Sequence, residues 1–504
     1  MKTEPTVLDL LVVGGGINGA GIALDASGRG LRVILCEMND LASGTSSNSS
    51  KLIHGGLRYL EHYEFRLVRE GLKEREVLLK KAPHIIRPLR FRLPHQKHLR
   101  PSWMIRIGLF LYDHLSKRMT LAGSHGIKFA IDSPLNAAIT RGFEYSDGWV
   151  DDARLVVLNA MAAREQGADI RTRTRCIKAV RVGPLWEITL ENQITRETEV
   201  IKTRALINAA GPWVSSLFDT LMTAKPPKPI RLIKGSHIVV PRLHDQPEAY
   251  ILQNKDNRII FVIPFEDDFS LIGTTDIEYQ GNPADAAISK AETDYLIEIS
   301  NSYFKKQISS ADVVMSYAGV RPLLDDESSS AQAVSRDYSF DLDHAAGQAP
   351  LLSVFGGKIT TYRKLSEAAV NAICEYFPQA GHAWTAKSLL PGGDFQCKES
   401  FQTSLLRKHP WLPSQVAKRY VRTYGTLSHH ILDGASSVAE LGKHFGAGLY
   451  QREVDYLLTY EWACSVEDII WRRTKLGLHL SATDQQSLGE SLLEADRRLD
   501  AIKC

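Results

Sequence analysis

Glycines at 14, 16 and 19 follow directly on the apolar run 7–13 (VLDLLVV), and this spacing constrains the fold more than any other feature of the chain. The run has the length and aliphatic content of a buried parallel strand. Residues 20–28 read as a helix with small residues turned to the strand, and 31–36 (LRVILC) as a second strand ending at Glu37. In such a unit Gly14 permits the tight turn, Gly16 lets the backbone approach a pyrophosphate, and Gly19 lets helix and strand pack closely. The helix N-terminus, with Asn18 in the same turn, presents N–H groups and partial positive charge to the phosphates. Glu37 stands where a carboxylate accepts hydrogen bonds from ribose hydroxyls; it would repel a 2′-phosphate, which disfavours NADP.

Only one such fingerprint occurs, and none of the cysteines (36, 176, 374, 397, 464 and 504) form a C-x-x-C pair. Their spacing outlines neither a zinc site nor a disulfide framework, so no metal is expected and a reducing compartment fits. A flavin disulfide reductase needs a redox-active cysteine pair and is disfavoured. A flavoprotein with one dinucleotide site must pass its electrons to oxygen, a quinone or a carrier protein. The net charge of +3, from 61 basic and 58 acidic side chains, is too balanced to argue for nucleic acid. The N-terminus reads as lacking a signal peptide, and no stretch of 18 apolar residues is present to span a bilayer, so any membrane contact is expected to be peripheral.

Beyond Glu37, residues 40–50 (DLASGTSSNSS) form a small, hydroxyl-rich loop suited to hydrogen-bonding an extended cofactor, with Thr45, Ser46 and Ser50 as candidate contacts. The next stretch, SSKLIHGGLRYL (49–60), together with the fingerprint, resembles the FAD-dependent glycerol-3-phosphate dehydrogenase family. Further similar segments follow in order: GFEYSDGWVDDARL (142–155), NAAGPW (208–213), IRLIKGSHIVVP (230–241), IGTTD (272–276), YAGVRPL (317–323), SRDY (335–338), SVFGGKITTYRK (353–364) and PGG (391–393). Ala210 stands where that family more often has threonine. No EF-hand-type calcium loop occurs near the C-terminus.

The resemblance implies oxidation of sn-glycerol 3-phosphate to dihydroxyacetone phosphate, with FAD as cofactor and a quinone as the electron acceptor. A dianionic phosphate calls for several cations, and arginine binds phosphate oxygens in pairs. Arg58, Arg321, Arg336 and Lys358 fall in the shared motifs and are the candidates. The hydroxyl proton needs an acceptor that titrates near neutrality, which suits histidine. His54 is the first choice and His237 its rival, while Tyr59 either bonds substrate or packs. Lys51, Leu52, Gly211, Gly357, Lys358 and Thr360 complete the expected cofactor contacts, and Trp213 is expected in the core. An oxygen-using glycerol-3-phosphate oxidase and a non-catalytic FAD-binding scaffold are the alternatives. The number of cations argues against an amino-acid oxidase, which needs a partner for one carboxylate.

The expected fold class is α/β: a glutathione-reductase-like FAD-binding βαβ domain, an antiparallel-sheet substrate domain and a C-terminal helical domain. The family pattern divides the chain into a discontinuous FAD-binding part (1–78, 146–216 and 308–386), a substrate or cap part (79–145 and 217–307) and a separate helical part (387–504). Residues 98–118 combine Trp103, Met104, Ile107, Leu111 and Leu115 at one-turn spacing with Arg100, Arg106, Lys117 and Arg118. That composition suits a helix lying in a lipid interface, although such spacing more often marks a core-facing helix. The basic stretch 84–100 is a second candidate for anionic headgroups. The expected location is cytoplasmic, peripherally attached to the cytoplasmic face of the inner membrane; a homodimer is left open.

Overall fold

The two apolar runs of the fingerprint pair in parallel in the computed structural model, Leu8–Val13 beside Val33–Cys36. The structure describes residues 7–503 apart from 97–98, 223–225, 257, 325–336 and 346, and leaves out the side chains of 62, 220–221 and 495–503. Helix Ile17–Gly28 starts earlier than the sequence pattern suggests, because Asn18 and Gly19 already lie in its first turn. Gly14 takes a φ of +114°, and a Cβ on Gly19 would stand 1.9 Å from the Gly14 carbonyl oxygen. Helix and strand therefore approach as closely as the spacing implies. The helix is buried along nearly its whole length, packed by helices Asp152–Glu165 and Tyr362–Cys374.

Around this unit runs a sheet in the order Tyr338–Asp343, Leu351–Gly356, Thr198–Asn208, Leu8–Val13, Val33–Cys36, Asp169–Arg171. The last five are parallel, and Tyr338–Asp343 closes one edge antiparallel. Strands Thr174–Val182 and Leu185–Asn192 extend Thr198–Asn208 as an antiparallel meander.

A second, larger sheet is built on Ile230–Pro241, Ala249–Gln253, Ile259–Phe265 and Phe269–Gly273, antiparallel as the alternation of their side chains predicts. One face, with Ile238, Val240, Leu252, Val262 and Ile272, is covered by helix Lys290–Tyr303; the other, with Val239, Ile251, Ile263 and Leu271, meets Leu109 and Tyr112 of helix Ser102–His114. Two segments expected with the FAD-binding pieces belong here instead. Met315–Leu324 pairs along most of Ile230–Pro241, and Leu52–Ile53 pairs with Arg141–Val150. Backbone ladders, invisible in composition, decide this membership.

Residues beyond 387 form helices around their own core, including Leu405, Tyr420, Leu457 and Ile469. This is the separate helical domain the sequence leads one to expect. Buried ion pairs fasten it to the start of helix Asp152–Glu165 and to the loop after Val33–Cys36: Arg154 to Glu461, Lys475 to Asp151, and Arg472 and Arg473 to Asp40.

Helix Ser102–His114 turns its apolar stripe outward. Trp103, Ile107 and Phe110 are 63%, 51% and 53% exposed, with Met104 and Leu111 beside them. The basic stretch that precedes it is a sheet strand, Ile86–Pro94, in which Arg90 and Arg92 pair with Glu144 at 2.7 and 3.1 Å. Two of its three arginines are thus paired with a carboxylate of the neighbouring strand, and Arg87 lies over the Trp149 ring. Among the described residues no helix is long and apolar enough to cross a membrane.

Candidate active site

The carboxyl ends of parallel strands Leu8–Val13, Val33–Cys36, Thr198–Asn208 and Leu351–Gly356 meet one wall of the second sheet in a cleft of about 990 Å³. This is where open α/β sheets bind ligands. Gly14 and Gly16 line it, and the helix starting at Ile17 points its N-terminus there. Glu37 stands at the end of its strand, its carboxylate accepting from the amides of Gly15 (2.7 Å) and Asn39 (2.8 Å). The loop that follows folds back over the helix start: Ser46 Oγ accepts from the Ile17 amide at 3.0 Å, and the Thr45 hydroxyl donates to the Val320 carbonyl at 2.5 Å. Asn18 reaches across to the Gly356 carbonyl at 3.4 Å, while its buried Oδ1 has no partner among the described residues. Size, glycine cradle, ribose-side carboxylate and this orphaned amide oxygen fit a dinucleotide running the length of the cleft.

Most of the expected contacts line this space: Thr45, Ser46, Ser50, Leu52, Gly211, Gly357, Lys358 and Thr360. Gly19 does not; it packs behind the turn. Lys51 does not either. Its ammonium is buried and bonds both oxygens of Asp152, at 2.8 and 3.0 Å, and the Ser47 carbonyl at 3.0 Å. A buried ammonium needs such a counter-ion, so Lys51 pins the loop rather than touching a ligand. Trp213 departs the other way: expected in the core, it lines the cleft, with its indole N–H 3.4 Å from Asn282 Oδ1.

The second sheet, the SSKLIHGGLRYL turn and the segment after first-sheet strand Leu351–Gly356 bring the charged groups in. His54, Arg58, Tyr59, Arg321 and Lys358 all line the cleft. Arg58 and Tyr59 sit on the 3-10 turn Leu57–His62, which follows Gly56 at a φ of +82°. Lys358 lies over the Tyr59 ring, its Nζ 3.6 Å from the centroid. Arg321 pairs with Asp276 of the IGTTD segment, for which no local pattern signals a role. Among the described residues nothing pairs with the Arg58 guanidinium. Arg336 lies outside the described residues. His54 donates its backbone amide to Thr360 Oγ1 at 3.1 Å. His237 is buried behind the cleft wall, 2.9 Å from Ser50 Oγ and stacked on Tyr317. Burial, helped by the charges of Arg321 and Lys51, holds its imidazole well below the usual range and therefore neutral.

Residues 9–363 match the family described as FAD dependent oxidoreductase, and 383–490 match the C-terminal domain of alpha-glycerophosphate oxidase. Glycerol-3-phosphate dehydrogenase of Pseudomonas aeruginosa is 59% identical over 487 residues, covering 96% of this chain and 95% of that one. The chain belongs to the FAD-dependent glycerol-3-phosphate dehydrogenase family. Its cofactor is FAD, and it is an oxidoreductase. The aerobic glycerol-3-phosphate dehydrogenase of Escherichia coli K12 is 55% identical, with 96% of this chain and 97% of that one covered. A relative from Brucella abortus named D-erythritol 1-phosphate dehydrogenase is 50% identical over 97% of this chain and 98% of its own. Among solved structures, the Bacillus halodurans glycerol-3-phosphate dehydrogenase complexed with FAD superposes at a TM-score of 0.76 with 28% identity, covering 99% of this chain and 91% of that one.

Proposed function

We propose that the enzyme oxidises sn-glycerol 3-phosphate to dihydroxyacetone phosphate and passes the electrons to a membrane quinone. The observation that carries this reading is the convergence of Arg58, Arg321 and Lys358 with His54 on the FAD cleft. Bound FAD supplies the hydride-accepting chemistry. Gly14, Gly16 and the first turn of helix Ile17–Gly28 hold its pyrophosphate, and Glu37 its ribose. Arg58 and Lys358 hold the substrate phosphate, Lys358 being oriented by the Tyr59 ring. Arg321, half neutralised by Asp276, meets the polyol end or a phosphate edge. His54 accepts the proton of the reacting hydroxyl; His237, neutral and walled off, supports the Ser50 loop. Stoichiometric glycerol 3-phosphate added without oxygen should bleach the bound flavin. A flavin that stays oxidised rejects the reading and favours a non-catalytic role. Hydrogen peroxide produced stoichiometrically in air would replace the quinone by oxygen as acceptor.

The Brucella relative supports a second substrate reading, D-erythritol 1-phosphate. The two compounds share the phosphate end and differ in chain length. A higher kcat/KM for the four-carbon compound would decide for it.

The lipid-soluble acceptor and the outward stripe of helix Ser102–His114 support peripheral attachment to an anionic membrane surface, with exposed Arg106 and Lys117 beside the stripe. Burying one large apolar side chain contributes about 1.5–3 kcal/mol. The double substitution Trp103→Glu and Ile107→Glu is therefore expected to reduce flotation with anionic vesicles more than tenfold, leaving solution activity intact. Failure of the parent chain to float would dismiss membrane attachment.

A further inference from the structure

We infer that Tyr112 is a positioning residue for the turn that carries His54 and Arg58. The inference rests on the reading of that turn as the one that meets substrate. The Gly55 amide donates to the Tyr112 hydroxyl oxygen at 2.8 Å. That hydroxyl faces both oxygens of Asp147, at 2.8 and 2.9 Å, and Asp147 is held by Arg75 at 2.6 Å. Arg75 also donates to the Ser146 carbonyl at 2.9 Å. Tyr112, Asp147 and Arg75 are 2%, 1% and 2% exposed. One residue earlier, the His54 amide is taken by Thr360 Oγ1.

Two successive amides of the turn are thus held by hydroxyls from opposite sides, one from the flavin-side segment and one from helix Ser102–His114. The two N–H groups lie in the two peptide planes that meet at His54 Cα, so fixing both directions restrains the φ and ψ of His54, the two soft dihedrals between them. The His54 side chain projects from that junction, and the 3-10 turn with Arg58 and Tyr59 follows two residues later. Burial and the Asp147 carboxylate push the Tyr112 phenol well above its usual range, so it stays protonated and can donate to Asp147 while accepting from Gly55. Its position on the helix is opposite the exposed stripe: the side chain that pins the turn belongs to the element whose outer face is apolar and open.

Plain packing is the competing account, since Tyr112 also lies edge-on to Tyr145 at 5.8 Å. The two accounts part at Tyr112→Phe, which keeps the ring and removes only the hydroxyl. In the FAD-loaded enzyme, positioning predicts that hydrogen exchange across residues 53–57 accelerates about tenfold, the equivalent of one hydrogen bond. Helix Ile17–Gly28 should exchange as in the parent. Flavin reduction by glycerol 3-phosphate should slow about tenfold, while reoxidation by a soluble quinone analogue and FAD content stay unchanged. Unchanged exchange at 53–57 overturns the proposal, as does loss of FAD or an equal slowing of both half-reactions, which packing alone explains. If the parent flavin is not reduced by glycerol 3-phosphate, the substrate reading fails, and the exchange result still decides the role of Tyr112.

Discussion

Replacing Arg58 with alanine should lower kcat/KM for glycerol 3-phosphate by about a hundredfold to a thousandfold, mainly through KM, with FAD content unchanged. Truncating one partner of a desolvated, hydrogen-bonded charge pair costs about 2–5 kcal/mol, and each 1.4 kcal/mol is about tenfold. Three features place Arg58 in the middle of that range or above. It lines the cleft, it stands on a turn entered through the two held amides of His54 and Gly55, and no described residue shares its charge. Arg321 differs, because Asp276 already holds part of its charge. Steady-state kinetics with flavin absorbance as the measure of occupancy checks the claim. A KM within about threefold of the parent, well under the cost of a lost ionic hydrogen bond, would remove Arg58 from the phosphate site.

The parts of this site that were legible in the sequence are those whose chemistry is local. Gly14, Gly16, Gly19 and Glu37 are placed by a strand, a turn and a helix that follow one another in the chain, and each is found where the spacing puts it. The antiparallel sheet was legible for the same reason: alternation along SHIVVP or RIIFVIPF reports a two-faced strand without reference to a partner. What stayed hidden depends on distant partners. Lys51 sits inside a shared motif beside Ser50, which lines the cleft, yet its neighbour in space is Asp152, which turns it away from the cleft. Helix Ser102–His114 has an apolar stripe, but a stripe does not say whether it faces core or solvent; Leu109 and Tyr112, from outside that stripe, make the inward contact. Trp213 follows an apolar strand and so reads as core, while the bend at Gly211 carries it to the cleft. The helical domain was legible from the change of pattern at 387, but nothing local announces that Arg472 and Arg473 reach Asp40.

That last contact leads to the other large effect: Asp40→Asn should destabilise the enzyme by about 3–5 kcal/mol and loosen FAD, although Asp40 does not line the cleft. Asp40 opens the hydroxyl-rich loop. Its Oδ2 takes Arg472 Nε and Arg473 Nη1, both at 2.6 Å, and its Oδ1 takes Arg473 Nη2 at 2.8 Å. The Arg473 side chain is fully buried, and its other hydrogen bonds go to the Glu461 carbonyl, at 2.6 and 3.3 Å. Neutralising the carboxylate leaves the buried Arg473 guanidinium only the Glu461 carboxylate, 3.8 Å away and already paired with Arg154, close to the situation in which breaking a buried pair costs about 3–5 kcal/mol. The Lys418–Asp267 pair supplies the contrast. Both side chains are more than half exposed there, and Lys418→Ala should cost under about 1 kcal/mol. The loop that Asp40 anchors supplies Ser43, Thr45, Ser46 and Ser50 to the cofactor cleft. Part of the lost stability should therefore appear as faster FAD release, and added FAD should recover some of it by mass action. Thermal unfolding of both variants at one scan rate, with and without excess FAD, tests this. Equal small shifts in the two variants would show that the helical part rests on its apolar contacts and that Asp40 does not tie it to the cofactor loop.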